Sequence, residues 1–394
     1  MDLVCTGCGK VQQDNYFRCS YCSEPMEIPM VEEGSLPGGR FGEEYLFDYY
    51  SDFYPFLQID NSLSLGEGFT PIIKARNIEK KFAFDFYAKN EGLNPTWSFK
   101  DRGTAAGLLH AKAIGAKRTG TVSTGNMAAS VAAYGQRAGM DTFVFVGSGI
   151  DREKIMPVAV YGAKVFTVEG DYASLYYEAL KIGKDNDIYF INSDAPLRVE
   201  GSKTIAFEIC EQMRFTAPDY VIIPTSSGGN FRGIVKGFKE FYNTGFIDAL
   251  PTFVAVQAEG CSPIFDAFDK GLPAVQRVVP DTLAHAINNP FPPSGNEVLR
   301  QLKTLNGLSV AVSDEEILYA QKLLAAEGMF VQFDSATTLA GAIKLNKKGL
   351  IPDDAKVVGI ITGSGLKYTK ILERHSAELI ECSIENIGSI IKNL

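Results

Sequence analysis

Histidine is scarce in this 394-residue chain: only His110, His285 and His375 occur. A catalytic machine built on several imidazoles is therefore disfavoured from the outset. Positive charge is also in short supply, with 38 Lys and Arg against 47 Asp and Glu, a net charge of −9. That balance argues against a nucleic-acid or anionic-membrane surface, while leaving room for a local basic pocket. No apolar run approaches the ~18 residues that would suggest a membrane span. The N-terminus MDLVCTGCGK lacks the apolar core of a signal peptide, so a cytoplasmic protein is the expectation. Tandem repeats and low-complexity segments are missing too. What is present is 45% apolar and 22% charged sequence, long enough for two or more packed units.

The seven cysteines are unevenly placed. Cys5, Cys8, Cys19 and Cys22 form two C-x2-C pairs within a short stretch, whereas Cys210, Cys261 and Cys382 are scattered. Two such knuckles can converge four thiolates on one Zn²⁺, and a reducing compartment disfavours the alternative of paired disulfides. Four thiolates leave no open coordination position, so the role expected of the metal is structural. The other three cysteines read as inert.

Residues 27–66, rich in acidic, aromatic and turn residues, read as an extended arm along a body. From about residue 100 the pattern is regular. Short β-rich runs (TGTVS, DTFVFV, KVFTV, IYFIN, YVIIP, TFVAVQ, KVVGIIT) alternate with helix-like stretches. Such alternation predicts parallel sheets covered by helices on both faces, here an α/β protein of two doubly wound lobes. In open sheets of this kind ligands bind beyond the carboxyl ends of strands. Three turns follow strands there: Ser123-Thr124-Gly125-Asn126, Thr225 through Asn230 (TSSGGN), and Thr362-Gly363-Ser364-Gly365. The SSGGN turn is the best candidate anion cradle, since adjacent glycines let main-chain N–H groups approach a phosphate at a helix start.

Lys100 stands in Ser98-Phe99-Lys100-Asp101-Arg102-Gly103 at the start of the first regular helix. The positive end of the helix dipole and the neighbouring Arg102 both disfavour an ammonium there, which suits a Schiff-base nucleophile. A cationic pocket of Lys100, Arg102, Arg198 and Lys203 is the expectation.

The ordered set SFKDRG, STGN, SSGGN and TGSGLK resembles the fold-type II pyridoxal-phosphate enzymes, and within them the threonine synthases. The similarity runs from Ser64 to Lys367, and an N-terminal cysteine knuckle also occurs in some members. The resemblance implies a knuckle over 1–28, a large cofactor-binding lobe over 29–100 and 191–394, and a small mobile lobe over 101–190. It implies that Lys100 carries pyridoxal 5'-phosphate as a Schiff base and that Asn126 bonds the ring hydroxyl. Ser226, Ser227, Gly228, Gly229 and Asn230 would hold the cofactor phosphate, and Thr362 would face the pyridine nitrogen. Ser123, Thr124 and Gly125 would take the substrate carboxylate. Asn192, Ser193 and Arg198 would take a substrate phosphate; the arginine fork favours a phosphorylated amino acid, and the plainer alternative for the segment is a capped loop ending at Gly201 before a helix. The implied reaction is a lyase's: O-phospho-L-homoserine and water to L-threonine and phosphate, by a homodimer. Rival readings are β-replacement on O-phosphoserine, threonine or serine dehydration, and a non-catalytic binding homologue.

Three positions depart from the family pattern. Trp97, the single tryptophan, stands where a small residue is usual; Met127 follows STGN in place of threonine; and Gln332-Phe333-Asp334-Ser335 replaces a Glu-Pro segment. Trp97 and Met127 are expected to narrow the pocket towards a shorter substrate.

Overall fold

The structure, a computed structural model, describes residues 1–13, 17–36, 41–123, 125–148, 152–169, 172–367, 369–374, 380, 383–384 and 387–392. Strands β1 (Asp2–Cys5), β2 (Val11–Gln13) and β3 (Met26–Glu27) make a small antiparallel sheet in the order β2-β1-β3. The arm that follows holds helix α1 (Leu46–Tyr49) and 3-10 turns. Its Leu46, Phe47, Tyr50, Phe53 and Tyr54 are buried in the main core, so hydrophobic anchoring rather than secondary structure fixes its course. After β4 (Ile72–Lys74), α2 (Arg76–Lys81) and β5 (Asp85–Asn90), the chain enters the unit that positions Lys100.

That unit comprises α3 (Lys100–Ala113), β6 (Arg118–Val122), α4 (Asn126–Arg137), β7 (Asp141–Gly147), α5 (Arg152–Ala159), β8 (Lys164–Val168), α6 (Tyr172–Asp185) and β9 (Ile188–Phe190). Its four strands are parallel in the order β8-β7-β6-β9. Side chains alternate along β7: Val144 and Val146 meet Ala128 and Ala132 of α4, while Phe145 meets Leu175 and Ala179 of α6.

The chain then runs through α7 (Pro196–Gln212), β10 (Tyr220–Pro224), α8 (Gly229–Asn243), β11 (Thr252–Ala258), α9 (Pro263–Asp269) and α10 (Gly295–Thr304). It closes with β12 (Leu308–Val312), α11 (Asp314–Ala326), α12 (Phe333–Lys347), β13 (Lys356–Ile361) and α13 (Ile387–Lys392). The large sheet has the order β12-β11-β10-β13-β5-β4. All its pairings are parallel except β4 with β5, an antiparallel edge. Along β10, Val221 and Ile223 pack with Phe207 of α7 and Phe231 of α8, whereas Ile222 packs with Leu324 of α11 and Leu339 of α12. Burial on both faces explains why YVIIP reads as a continuous apolar run. The α/β architecture is thus the expected one, with two sheets of parallel strands and a small cysteine-bearing sheet at the N-terminus.

The plainer alternative for PLRVEG, a loop ending at Gly201, does not form: the segment is the first turns of α7, and Pro196 occupies the first turn, where its missing N–H costs nothing. In the C-terminal tail α13 is the described helix; His375 and Cys382 lie outside the described residues.

Candidate active site

The site is assembled where strands end. Lys100 opens α3, and the turn before it is stitched to the end of β13: Phe99 N donates to Thr362 O at 3.1 Å and Ser364 N donates to Trp97 O at 3.1 Å. Asp101, fully buried, accepts from Thr96 N and Thr96 Oγ1 at 2.6 Å each and fixes the turn. Helix α7 is brought against α3 by glycines on both sides. A Cβ on Gly201 would collide with the Arg102 carbonyl, and one on Gly103 would lie 2.9 Å from the Arg198 carbonyl. This close approach puts Arg198 beside Lys100, and Arg198 Nη1 donates to Lys100 O at 3.3 Å and to Thr104 Oγ1 at 2.8 Å.

Three basic side chains share this space. Burial, then Arg198 and Lys367, hold the Lys100 amine well below the usual ammonium range. Burial lowers Lys367 to about 8, with Asp101 opposing, and its Nζ donates to Thr96 O. Burial pulls the Arg198 guanidinium to about 9, still cationic at neutral pH. Lys367 was missed as a site residue: it closes the TGSGLK motif, but nothing in its spacing says that it turns back to the Lys100 turn. Conversely, Arg102 and Lys203 do not belong to the pocket. Arg102 pairs with Glu91 at 2.6 Å and Glu208 at 2.5 Å, and Lys203 pairs with Glu200 at 2.7 Å and Glu240 at 2.9 Å, all fully buried. Those carboxylates neutralise both cations, and it is Arg198 and Lys367 that act on Lys100.

The SSGGN turn forms the start of α8. Gly228 has φ +92°, and as N-cap of α8 it offers no side-chain cap, leaving the first helical N–H groups open. A Cβ on Gly229 would strike the Ser193 carbonyl, so the SSGGN turn and the Asn192-Ser193 turn touch through main chain. Ser226 and Ser227 are half-buried in the same turn. Several buried polar atoms have no protein partner: Asn230 Oδ1 and Nδ2, Asn192 Nδ2 and Arg198 Nε. Buried polar groups are nearly always paired, so the orphaned Asn230 amide at a glycine-lined helix start with open N–H groups fits the phosphate of pyridoxal phosphate, while Asn192 Nδ2 and Arg198 Nε remain as donors for a second ligand. Asn192 Oδ1 is already held by Val122 N at 3.1 Å, which leaves its amide N–H₂ for a ligand.

Elsewhere Thr362 Oγ1 lies 2.9 Å from Ser335 Oγ, and Ser335 Oγ also accepts from Gly363 N at 3.1 Å. Asn126 donates through Nδ2 to Gln332 Oε1 at 2.7 Å and accepts from Gln332 Nε2 at 3.3 Å. Each amide keeps further bonding capacity, so a ring-hydroxyl contact from Asn126 remains compatible with this pair. Ser123 and Gly125 flank the same turn, and Thr124 lies outside the described residues. Met127 is 2% exposed in the hydrophobic core, and Trp97 is 53% exposed with φ +63°. The expectation that both narrow the pocket is unsupported for Met127, whose side chain belongs to the core.

Cys5, Cys8, Cys19 and Cys22 place their Sγ atoms within 4.8 Å of one another. Main-chain N–H groups of Gly7 and Cys8 point to Cys5 Sγ, at 3.3 and 3.4 Å, and that of Tyr21 points to Cys19 Sγ at 3.4 Å. This fits a tetrathiolate metal. Cys210 and Cys261 are buried bystanders.

Residues 63–363 match the family described as pyridoxal-phosphate dependent enzyme. Solved structures with this fold include threonine deaminase isoform 2 from Solanum lycopersicum, with a TM-score of 0.68 at 21% identity, covering 88% of this chain and 96% of that one. Maize serine racemase gives 0.65 at 20%, covering 77% and 91%. Curated relatives are more similar in sequence. The threonine synthase of Methanocaldococcus jannaschii is 41% identical over 351 residues, 88% of this chain and 87% of that protein. The threonine synthase of Bacillus sp. strain ULM1 is 37% identical over 355 residues, 89% and 98%. The chain belongs to the pyridoxal-phosphate dependent enzymes and, within them, to the threonine synthase family of lyases.

Proposed function

We propose that the chain converts O-phospho-L-homoserine and water into L-threonine and phosphate. The observation that carries this reading is Arg198, a buried guanidinium with no carboxylate ion pair among the described residues and with Nε unbonded, held beside Lys100. A phosphate dianion is the fitting counter-charge for such a fork, whereas a substrate without phosphate would leave it buried and uncompensated. Pyridoxal phosphate, when bound, supplies an electron sink for negative charge at the substrate's Cα. Lys100, held neutral, is the group that would take protons from Cα and Cβ and return them at Cγ, as the phosphate leaves, and at Cα.

Ser226 through Asn230 would hold the cofactor phosphate, Asn126 its ring hydroxyl, and Thr362 its ring nitrogen. A hydroxyl partner at that nitrogen leaves it unprotonated and tempers the sink. Ser123, Thr124 and Gly125 would bind the substrate carboxylate. Arg198, Asn192 and Ser193 would hold the phosphate as it leaves Cγ, after which water adds at Cβ.

The 101–190 unit is proposed as the smaller lobe, closing on the 29–100 and 191–394 lobe to exclude water. Support comes from a separate sheet, β6–β9, with cores of its own. We assign Zn²⁺ to the 1–28 knuckle on its thiolate geometry; elemental analysis should give one zinc per chain, and none would contradict the assignment. A homodimer is proposed from the family resemblance and a cytoplasmic location from the sequence's lack of a signal-peptide core; sedimentation of the pure protein tests the former. Among the described residues no helix is long and apolar enough to cross a membrane.

Parallel phosphate-release assays on O-phosphohomoserine and O-phosphoserine test the substrate. One methylene in a fitted pocket is worth roughly 10- to 200-fold in kcat/KM, and the longer substrate should be preferred. Preference for O-phosphoserine would sink the assignment.

A further inference from the structure

Arg18, one residue before Cys19, leaves the cysteine knuckle and enters the body of the protein. Its Nη2 donates to Asp194 Oδ2 in an ion pair whose carboxylate is fully buried, and its Nη1 donates to Pro293 O at 2.6 Å. Both partners sit directly behind the phosphate-facing turns. Asp194 follows Asn192 and Ser193, and its other oxygen accepts from Tyr176 Oη of α6 at 2.6 Å. Pro293 precedes Ser294, whose N–H donates to Ser227 O at 2.9 Å and whose Cβ would lie 2.9 Å from a Cβ on Gly228. One guanidinium therefore ties the 192–194 turn to the wall behind SSGGN.

The knuckle is anchored independently of this contact. Arg300 and Asn296 bond Glu24 at 2.6 and 2.9 Å, and Arg232 bonds Glu27 at 2.9 Å and Met26 O at 3.1 Å. Arg18 is thus not needed merely to dock the segment. Its reach to Asp194 has a different consequence. The Ser193 carbonyl rests against Gly229, so displacement of Asp194 moves Ser193 and Asn192 relative to the cradle.

We propose that Arg18 is a positioning residue for the substrate-phosphate turn, acting through Asp194 on Asn192 and Ser193, so that the cysteine knuckle sets the affinity for the phosphorylated substrate. The proposal rests on the reading that Asn192, Ser193 and Arg198 bind the substrate phosphate. Outer-shell partners of this kind cost roughly 10- to 100-fold when removed.

The test is steady-state kinetics of the holoenzyme with O-phosphohomoserine, and with inorganic phosphate as competing probe. Arg18→Ala should raise KM and the phosphate inhibition constant roughly tenfold, while kcat changes little and the absorption of the bound cofactor is unaltered. Arg18→Lys should recover part of the loss. Asp194→Asn should match Arg18→Ala, and the double variant should be no worse than either, as expected for one coupled contact. If Arg18→Ala does not fold, Arg18→Lys and Asp194→Asn carry the same comparison. Asn192→Ala separates the two levels of failure. If it weakens phosphate binding while the Arg18 and Asp194 variants do not, the positioning role is overturned alone. If it has no effect either, the phosphate-site reading falls and takes the positioning role with it.

Discussion

Arg198 Nη1 donates to the main-chain carbonyl of Lys100 across 3.3 Å, joining the first turn of α7 to the first turn of α3. The contact exists because Gly103 and Gly201 let the two helices touch main chain to main chain. It places a permanent cation beside the reactive amine, with two effects. It adds to burial in holding the Lys100 amine well below the usual ammonium range, and under the proposed function it would hold the substrate's phosphate next to that amine. Removing Arg198 should damage substrate binding more than cofactor capture. Arg198→Ala is expected to lower kcat/KM on O-phosphohomoserine by roughly 10- to 100-fold, the range for a charged hydrogen bond, while keeping the cofactor absorption. Arg198→Lys should not restore full activity, because an ammonium lacks the planar fork.

Lys367 supplies a second repulsion on Lys100. Taking away its charge lets Lys100 hold its proton more tightly, so the neutral amine forms only at higher pH. Stopped-flow capture of pyridoxal phosphate by cofactor-free Lys367→Met should therefore show its half-rise displaced to higher pH than in the wild type. Below about 8, where Lys367 is itself protonated, the difference should be greatest. A displacement to lower pH would contradict the electrostatic account.

Burial pushes the Glu208 carboxyl up, but Arg102 and Lys89 outweigh it and hold it at about 2. An unfolded glutamate titrates at about 4.3, so the stability from this group is complete above that value and is lost as pH falls towards 2. Glu208→Gln should destabilise the protein at neutral pH by stranding Lys89 and leaving Arg102 with Glu91 alone, at a cost of about 3–5 kcal/mol. It should also flatten the pH dependence of the unfolding midpoint between about pH 4 and pH 2. Denaturant titrations at stepped pH check both effects.

Trp97 sits in the left-handed region at φ +63°, with its ring 53% exposed. A side chain there costs about 1–2 kcal/mol that glycine avoids. Comparing Trp97→Gly with Trp97→Ala cancels the lost ring. The glycine variant should be the more stable by about 1 kcal/mol, net of glycine's larger unfolded-state entropy. Equal stabilities would show that the backbone relaxes when the ring is removed.

Much of the fold was legible because its signals are local. Strands such as YVIIP are apolar on both faces, and the glycine turns after β6, β10 and β13 carry their chemistry in consecutive residues. The cysteine knuckle was equally plain from spacing alone. What stayed hidden depends on contacts between distant segments. That Arg102 is neutralised by Glu208, or that Gln332 holds Asn126 across 206 positions, leaves no trace in either neighbourhood. In PLRVEG the sequence also allowed a capped loop ending at Gly201, because a glycine there reads as a stop. In the fold that glycine is a helix-contact residue against Arg102.

Under the proposed function Lys100 and Arg198 act jointly on one phosphorylated amino acid. The most direct test is the simultaneous measurement of phosphate and L-threonine released from O-phospho-L-homoserine by the holoenzyme, with Lys100→Ala as control. The account predicts the two products in equal amounts from the wild type and neither from the control. Phosphate without threonine, or no phosphate at all from a protein that shows the cofactor's absorption, would contradict it.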